Sequence, residues 1–186
     1  MTDDPMEPAN WLLLIYTVPS EPSRRRATVW RELKKAGAVY LRDGVCVLPT
    51  RPPTTTAFRA IAATIAEFGG QATLVEKAEL DSERAAAIRA QARAARGEEY
   101  KEIMREAEGF LAHAERERDH REFTFAELEE IEEDLGKLKR WVEQVRARDW
   151  FEAADATSVD ELLARCDIAV ATFLEESYGH DEEAGS

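Results

Sequence analysis

Only two cysteines and three histidines occur among the 186 residues. Neither type stands at the spacing that a metal site needs, so no metal is expected. Cys46 falls in an apolar strand and Cys166 on a helix face, and each is read as a small buried hydrophobe. No apolar run approaches the length of a membrane span. The first ten residues, Met1 to Asn10, are acidic and lack the basic start of a secretory signal. These absences set the expectation of a cytoplasmic protein with no membrane partner. No Ser-His-Asp, Cys-His or phosphate-cradling glycine pattern is present, so no catalytic residues, no enzymatic activity and no cofactor are expected. The paired Gly69 and Gly70 are read as a helix stop.

What is present is acidity, unevenly placed. The net charge is -13, which as an average argues against a polyanionic partner. Residues 1–80 nevertheless carry ten Lys/Arg against nine Asp/Glu, whereas residues 81–186 carry fifteen against twenty-nine. The length suits one or two domains with a real core. Four segments are expected: a flexible N-terminus at 1–10, a sheet-containing domain at 11–80, a helical domain at 81–176 and a disordered tail at 177–186.

Residues Trp11 to Glu79 carry a strand-helix-strand-strand-helix-strand pattern. Trp11 to Val18 is almost wholly apolar and predicts a central strand buried on both faces, ended by Pro19. Ser20 suits an N-cap and Pro22 a first turn. Ala27, Trp30 and Leu33 recur at three-residue spacing and predict the core face of the first helix, with Gly37 at its end. Val39–Leu41 and Val45–Leu48 flank Asp43-Gly44, a strong signal for a tight hairpin turn. Pro49 to Pro53 is expected to close the hairpin and break the chain, with one of Thr54, Thr55 and Thr56 capping the next helix. Phe58, Ile61, Ile65 and Phe68 give that helix its apolar stripe. Ala72 to Glu76 is the last strand. Two helices on one face of a four-stranded antiparallel sheet define an α+β, ferredoxin-like βαββαβ domain. A winged helix would need three helices before its hairpin, and only one is available.

The rest reads as an antiparallel helical hairpin and a further C-terminal helix. Ser82 is expected to cap a helix to about Asp119, with Ile103, Ala107, Phe110 and Ala114 as its seam and a kink or break at Gly97. A turn at Asp119 to Glu122 follows. Thr124 with Glu127 forms a capping box, and Phe123 with Leu128 a hydrophobic staple. Leu128, Ile131, Leu135, Leu138, Val142 and Val145 then form a narrow seam. Ser158 with Glu161 is a second capping box, for a helix bearing Leu162, Cys166, Ala169 and Phe173. Two basic stretches, 81–97 and 137–150, are expected at the base of this hairpin, where Trp141, Trp150 and Phe151 would cover the first domain.

Several of these segments resemble a known family. Trp11-Leu-Leu-Leu-Ile-Tyr-Thr-Val-Pro-Ser-Glu-Pro-Ser-Arg-Arg-Arg26, Val29 to Leu33, Gly44 to Pro49, Glu99 to Ile103 and Phe123 to Glu130 resemble the N-terminal domain of ChrB, the bacterial chromate-resistance regulators. The resemblance implies a transcriptional regulator with operator DNA as its partner. Full-length members carry a second, C-terminal domain to which chromate sensing is attributed; this sequence shows no counterpart, so a regulator lacking that domain is expected and chromate binding stays open. The first strand is also similar to the PaaX core and to the nuclease-like subunit of CRISPR adaptation. In the latter an aspartate near the strand's end binds metal. Here Thr17 and Val18 stand there, and no carboxylate lies between Trp11 and Ser20, so nuclease chemistry is not expected.

Arg24, Arg25 and Arg26 open the first helix, where positive charge opposes the helix dipole. Three guanidinium groups there can grip phosphates. With the resemblance, these three become the expected DNA contacts, aided by Arg89, Arg93 and Arg96. The rival expectation is an interaction module, without DNA, that uses the acidic hairpin. The run Glu127 to Asp134 reads as a solvated face, and Glu117 with His120 is one half of a di-iron motif that needs two. A homodimer is expected by analogy alone.

Overall fold

The computed structural model describes residues 10–120 and 125–184, with backbone alone for 125 and 178–184. The protein is α+β, with one four-stranded antiparallel sheet and five helices among the described residues. The chain divides into two compact units, one made of residues up to 93 with 148–151, the other of residues 94–147 with those from 152 on.

In the first unit β1 (Trp11–Thr17), α1 (Ser23–Lys35), β2 (Val39–Arg42), β3 (Val45–Pro49), α2 (Pro52–Glu67) and β4 (Gln71–Ala78) follow one another. The sheet order is β2-β3-β1-β4, and each neighbouring pair is antiparallel. Alternation along β1 sends Leu12 and Leu14 to one face. There they meet Cys46 and Leu48 of β3, Val29 and Leu33 of α1, and Phe58, Ile61 and Ile65 of α2. Trp11 takes the opposite face with Val39 and Val47, and these pack with Ala85, Ile88 and Phe151. The expectation of a first strand buried throughout holds only for its N-terminal half: Ile15 is 45% exposed.

Helix starts depart from the sequence expectation. α1 starts at Ser23, and its N-cap is Pro22 with no side-chain cap, rather than Ser20. α2 begins at Pro52, so Pro52 and Pro53 form its first turn instead of breaking the chain. Thr54, buried, accepts the Arg51 N–H at 3.0 Å and donates to the Pro49 carbonyl at 2.7 Å.

The second unit is built on α3 (Ser82–His120), which begins in the first unit, α4 (Phe125–Arg146) and α5 (Ala156–Ala184). Tyr100 and Ile103 of α3 cluster with Val142 and Val145 of α4, while Ala107 and Phe110 cluster with Ile131, Leu135 and Leu138. α3 and α4 therefore run antiparallel. Arg146 pairs with Asp160, and Lys139 with Asp167 at 2.5 Å, which sets α5 antiparallel to α4. Cys166 and Phe173 of α5 complete this core.

α3 is unbroken at Gly97, where a kink was expected. Gly97 is there for space: a Cβ would lie 2.9 Å from Asp155 Oδ2. Asp81, not Ser82, caps α3, accepting the Arg84 N–H at 2.8 Å. α5 opens at Ala156, so Ser158 stands inside its first turn. α5 continues to Ala184, through most of the segment expected to lack structure. Residues 1–9, the turn at 121–122, the cap and staple residues Phe123 and Thr124, and residues 185–186 lie outside the described residues. Among the described residues no helix is long and apolar enough to cross a membrane.

Candidate nucleic-acid interface

α1 has no acidic residue in its first turn, and lysines fill its last. Its inner face is set by Val29 and Leu33, four residues apart and both buried. Ala27 and Trp30, expected on that face, point outward instead; Trp30 is 50% exposed. The three-residue spacing 27-30-33 drifts about 60° per step away from a fixed face, and the four-residue pair wins.

The three arginines that open α1 are not equivalent. Arg25 turns inward: Nη1 donates to the Phe68 carbonyl at 3.1 Å, and its guanidinium lies 5.7 Å from the centre of the Phe68 ring. It joins α1 to the end of α2. Arg24 and Arg26 are exposed. So are Arg31, Lys34 and Lys35, further along the helix. Arg31 Nη2 donates to Thr28 Oγ1 at 3.3 Å, and Thr28 donates in turn to the Arg24 carbonyl at 3.0 Å. Lys34 Nζ stands over the Trp30 ring, 4.8 Å from its centre. Among the described residues none of these five cations is in an ion pair. The one carboxylate of α1 is Glu32, about 200° round the helix from Trp30.

The other three arginines are distributed differently. Arg93 Nε donates to the Phe151 carbonyl at 2.7 Å, which holds residues 148–151 to the first unit. Arg89 is half-buried and engaged. Arg96 belongs to the second unit, where it is largely buried and pairs with Glu99 at 3.2 Å. Trp150 Nε1 donates to the Ala36 carbonyl at 2.9 Å, and the rings of Trp11 and Phe151 lie 5.8 Å apart, so these aromatics serve the first unit's core. Trp141 packs within the second unit.

Charge is divided along the same line. The first unit, from residue 10, carries fourteen Lys/Arg against nine Asp/Glu, and the second eleven against twenty-six. In the second unit Lys101, Arg118, Lys137, Lys139 and Arg146 are all paired with carboxylates. That unit leaves an unbalanced anionic surface, whereas α1 leaves an unbalanced cationic one. The second unit also holds a cavity of about 390 Å³ between α3 and α4, lined by Phe110, Leu138 and Trp141, by His113, and by both signs of charge, including Arg116, Lys137, Glu106 and Asp134. His113 Nε2 lies 3.8 Å from Glu117 Oε1, while His120 is exposed. Both thiols are buried, and burial raises Cys46 to a pKa of about 12 and Cys166 to about 11.

Fold and charge together define an α+β unit with a cationic helix, followed by an acidic helical unit. A family model described as "Protein ChrB, N-terminal" matches residues 26–184. The chain belongs to that family. The protein named ChrB from Cupriavidus metallidurans is 33% identical over 80 residues, which is 43% of this chain and 25% of that protein. The similarity thus spans a quarter of that relative's length.

Proposed function

We propose that this protein is a ChrB-like transcriptional regulator connected with chromate resistance, and that it represses by holding operator DNA on the outer face of α1. The observation that carries the reading is five exposed cations on one helix, none in an ion pair among the described residues, in a chain whose net charge is -13. Natural surfaces mix charge signs, and unbalanced cations raise the energy of the free protein until an anion arrives. Duplex DNA supplies closely spaced phosphates, and its binding releases counterions. The strand order β2-β3-β1-β4, with a helix after β1 and another after β3, supports a ferredoxin-like first unit as the platform. No catalytic role is part of this reading; the site is cytoplasmic, and a homodimer would match a two-fold operator.

The test compares gel retardation of DNA from upstream of the protein's own gene for wild type and for the Arg24→Ala/Arg26→Ala double variant at matched salt. The double variant weakens binding about tenfold or more, since each phosphate contact contributes on the order of 1 kcal/mol. Equal retardation by both proteins contradicts the assignment. Arg25 is left intact because its role is to join two helices.

The second unit favours one other reading. Its twenty-six carboxylates against eleven cations suit a basic protein partner, with no nucleic acid involved. Absence of any DNA retardation at low salt, together with a stoichiometric complex with such a partner, would favour it.

A further inference from the structure

We propose that Trp30 is the residue by which α1 reads DNA sequence: its indole meets base edges in the major groove while the cations beside it hold the phosphates. This rests on the DNA-binding reading above and deepens it.

Trp30 is the largest side chain that the described first unit leaves in water. Neither hydrophobic cluster of that unit takes it in. A lone exposed apolar residue needs no explanation. This one is set among cations: Arg26 and Lys34 stand one turn before and after it, and Arg31 is next to it in sequence. Residues four apart on a helix are neighbours, so cation, indole and cation form one row along α1. Lys34 already lies over the ring. Glu32, the carboxylate of α1, is turned away from the row, so nothing anionic on α1 opposes a polyanion there.

The dimensions suit a duplex. Thirteen residues make a helix about 20 Å long, and a major groove about 12 Å wide admits one helix with its side chains. Phosphates line the groove's two rims, where long arginine and lysine side chains reach. The floor between them presents thymine methyl groups and the N7, O6 and O4 acceptors. An indole offers a flat apolar face to the first and one N–H donor to the second. Phosphate contacts alone carry no sequence information; Trp30 adds to this face an apolar surface for thymine methyl groups, which the cations beside it lack. α1 is also firmly seated, by Val29 and Leu33 below and by the Arg25 bond to Phe68, so that Trp30 is presented at a fixed height.

The experiment measures anisotropy of a labelled duplex from upstream of the protein's own gene, against a shuffled duplex of the same composition, over a range of salt. The full chain is used as wild type, Trp30→Ala and Trp30→Phe. The expected result is that wild type prefers its upstream duplex, that Trp30→Ala lowers this preference about tenfold or more, and that affinity for the shuffled duplex and the salt slope stay the same. Trp30→Phe keeps part of the preference through its remaining ring. Three results overturn the proposal while leaving DNA binding in place: no preference in wild type, an unchanged preference in Trp30→Ala, or an equal loss on both duplexes. A dimer that dissociates on Trp30→Ala in the absence of DNA also overturns it, because the indole would then be a protein contact. If wild type binds neither duplex at low salt, the DNA-binding reading itself fails, and this proposal with it.

Discussion

Arg25 sits between two arginines of the same composition and does a different job. Its guanidinium spans from α1 to the Phe68 carbonyl, whereas Arg24 and Arg26 are exposed. Replacing Arg25 with alanine removes a part-buried, charge-assisted hydrogen bond and should cost about 1–2 kcal/mol. A thermal melt should show it as a fall of several degrees, with Arg24→Ala melting as wild type. The thiols give a second check at this scale. Cys46 and Cys166 are both buried, with Sγ within 4 Å of the Leu14 and Ala107 carbonyls respectively, and burial holds both pKa values well above neutral. Only a thiolate attacks a disulfide reagent, so neither should react with such a reagent at pH 8 until the protein is denatured. Fast labelling of the native chain would contradict the packing. The sequence made the arginine cluster visible but not its division, because three adjacent helical residues point about 100° apart and only the neighbouring α2 decides which is held.

At the scale of elements, long stripes could be read directly and ends could not. Phe58, Ile61 and Ile65 on α2, and Ile131, Leu135, Leu138, Val142 and Val145 on α4, are buried as their spacing requires. α1 is shorter, and its two buried positions, Val29 and Leu33, were obscured by the more conspicuous Trp30. Helix starts were displaced because a cap depends on a backbone bend that several adjacent Ser, Thr or Asp residues could make. Residues 148–151 belong with the first unit, which no periodicity announces. Gly37 is the device that receives them. Its φ is +75°, and an added Cβ would stand 2.8 Å from the Arg148 carbonyl and 3.1 Å from Trp150 Nε1. Gly37→Ala should therefore destabilise by about 1–3 kcal/mol, read as a lower urea midpoint. A midpoint equal to that of wild type would show that these residues do not close on α1's end.

For the molecule as a whole, the charge average hides a division between the two units. The first unit is net cationic and the second strongly anionic, so under the proposed function the net charge opposes a polyanion at long range and the cations of α1 must act at short range. Affinity should then be more sensitive to salt than to total charge, because the exposed cations of α1 act within a Debye length of about 8–10 Å. The division could be seen in the sequence by counting charges along the chain. Which cations stay unneutralised could not, since the pairs Lys139 with Asp167 and Arg118 with Glu176 join residues far apart in the chain. The most direct measurement is the slope of log K against log salt for operator DNA, taken for wild type and for a variant with Arg24, Arg26, Arg31, Lys34 and Lys35 changed to glutamine. The expected slope of the variant is shallower by about 0.9 for each of these side chains that touches a phosphate. An unchanged slope, with DNA still bound, would place the contact elsewhere and contradict the claim that α1 is the gripping surface.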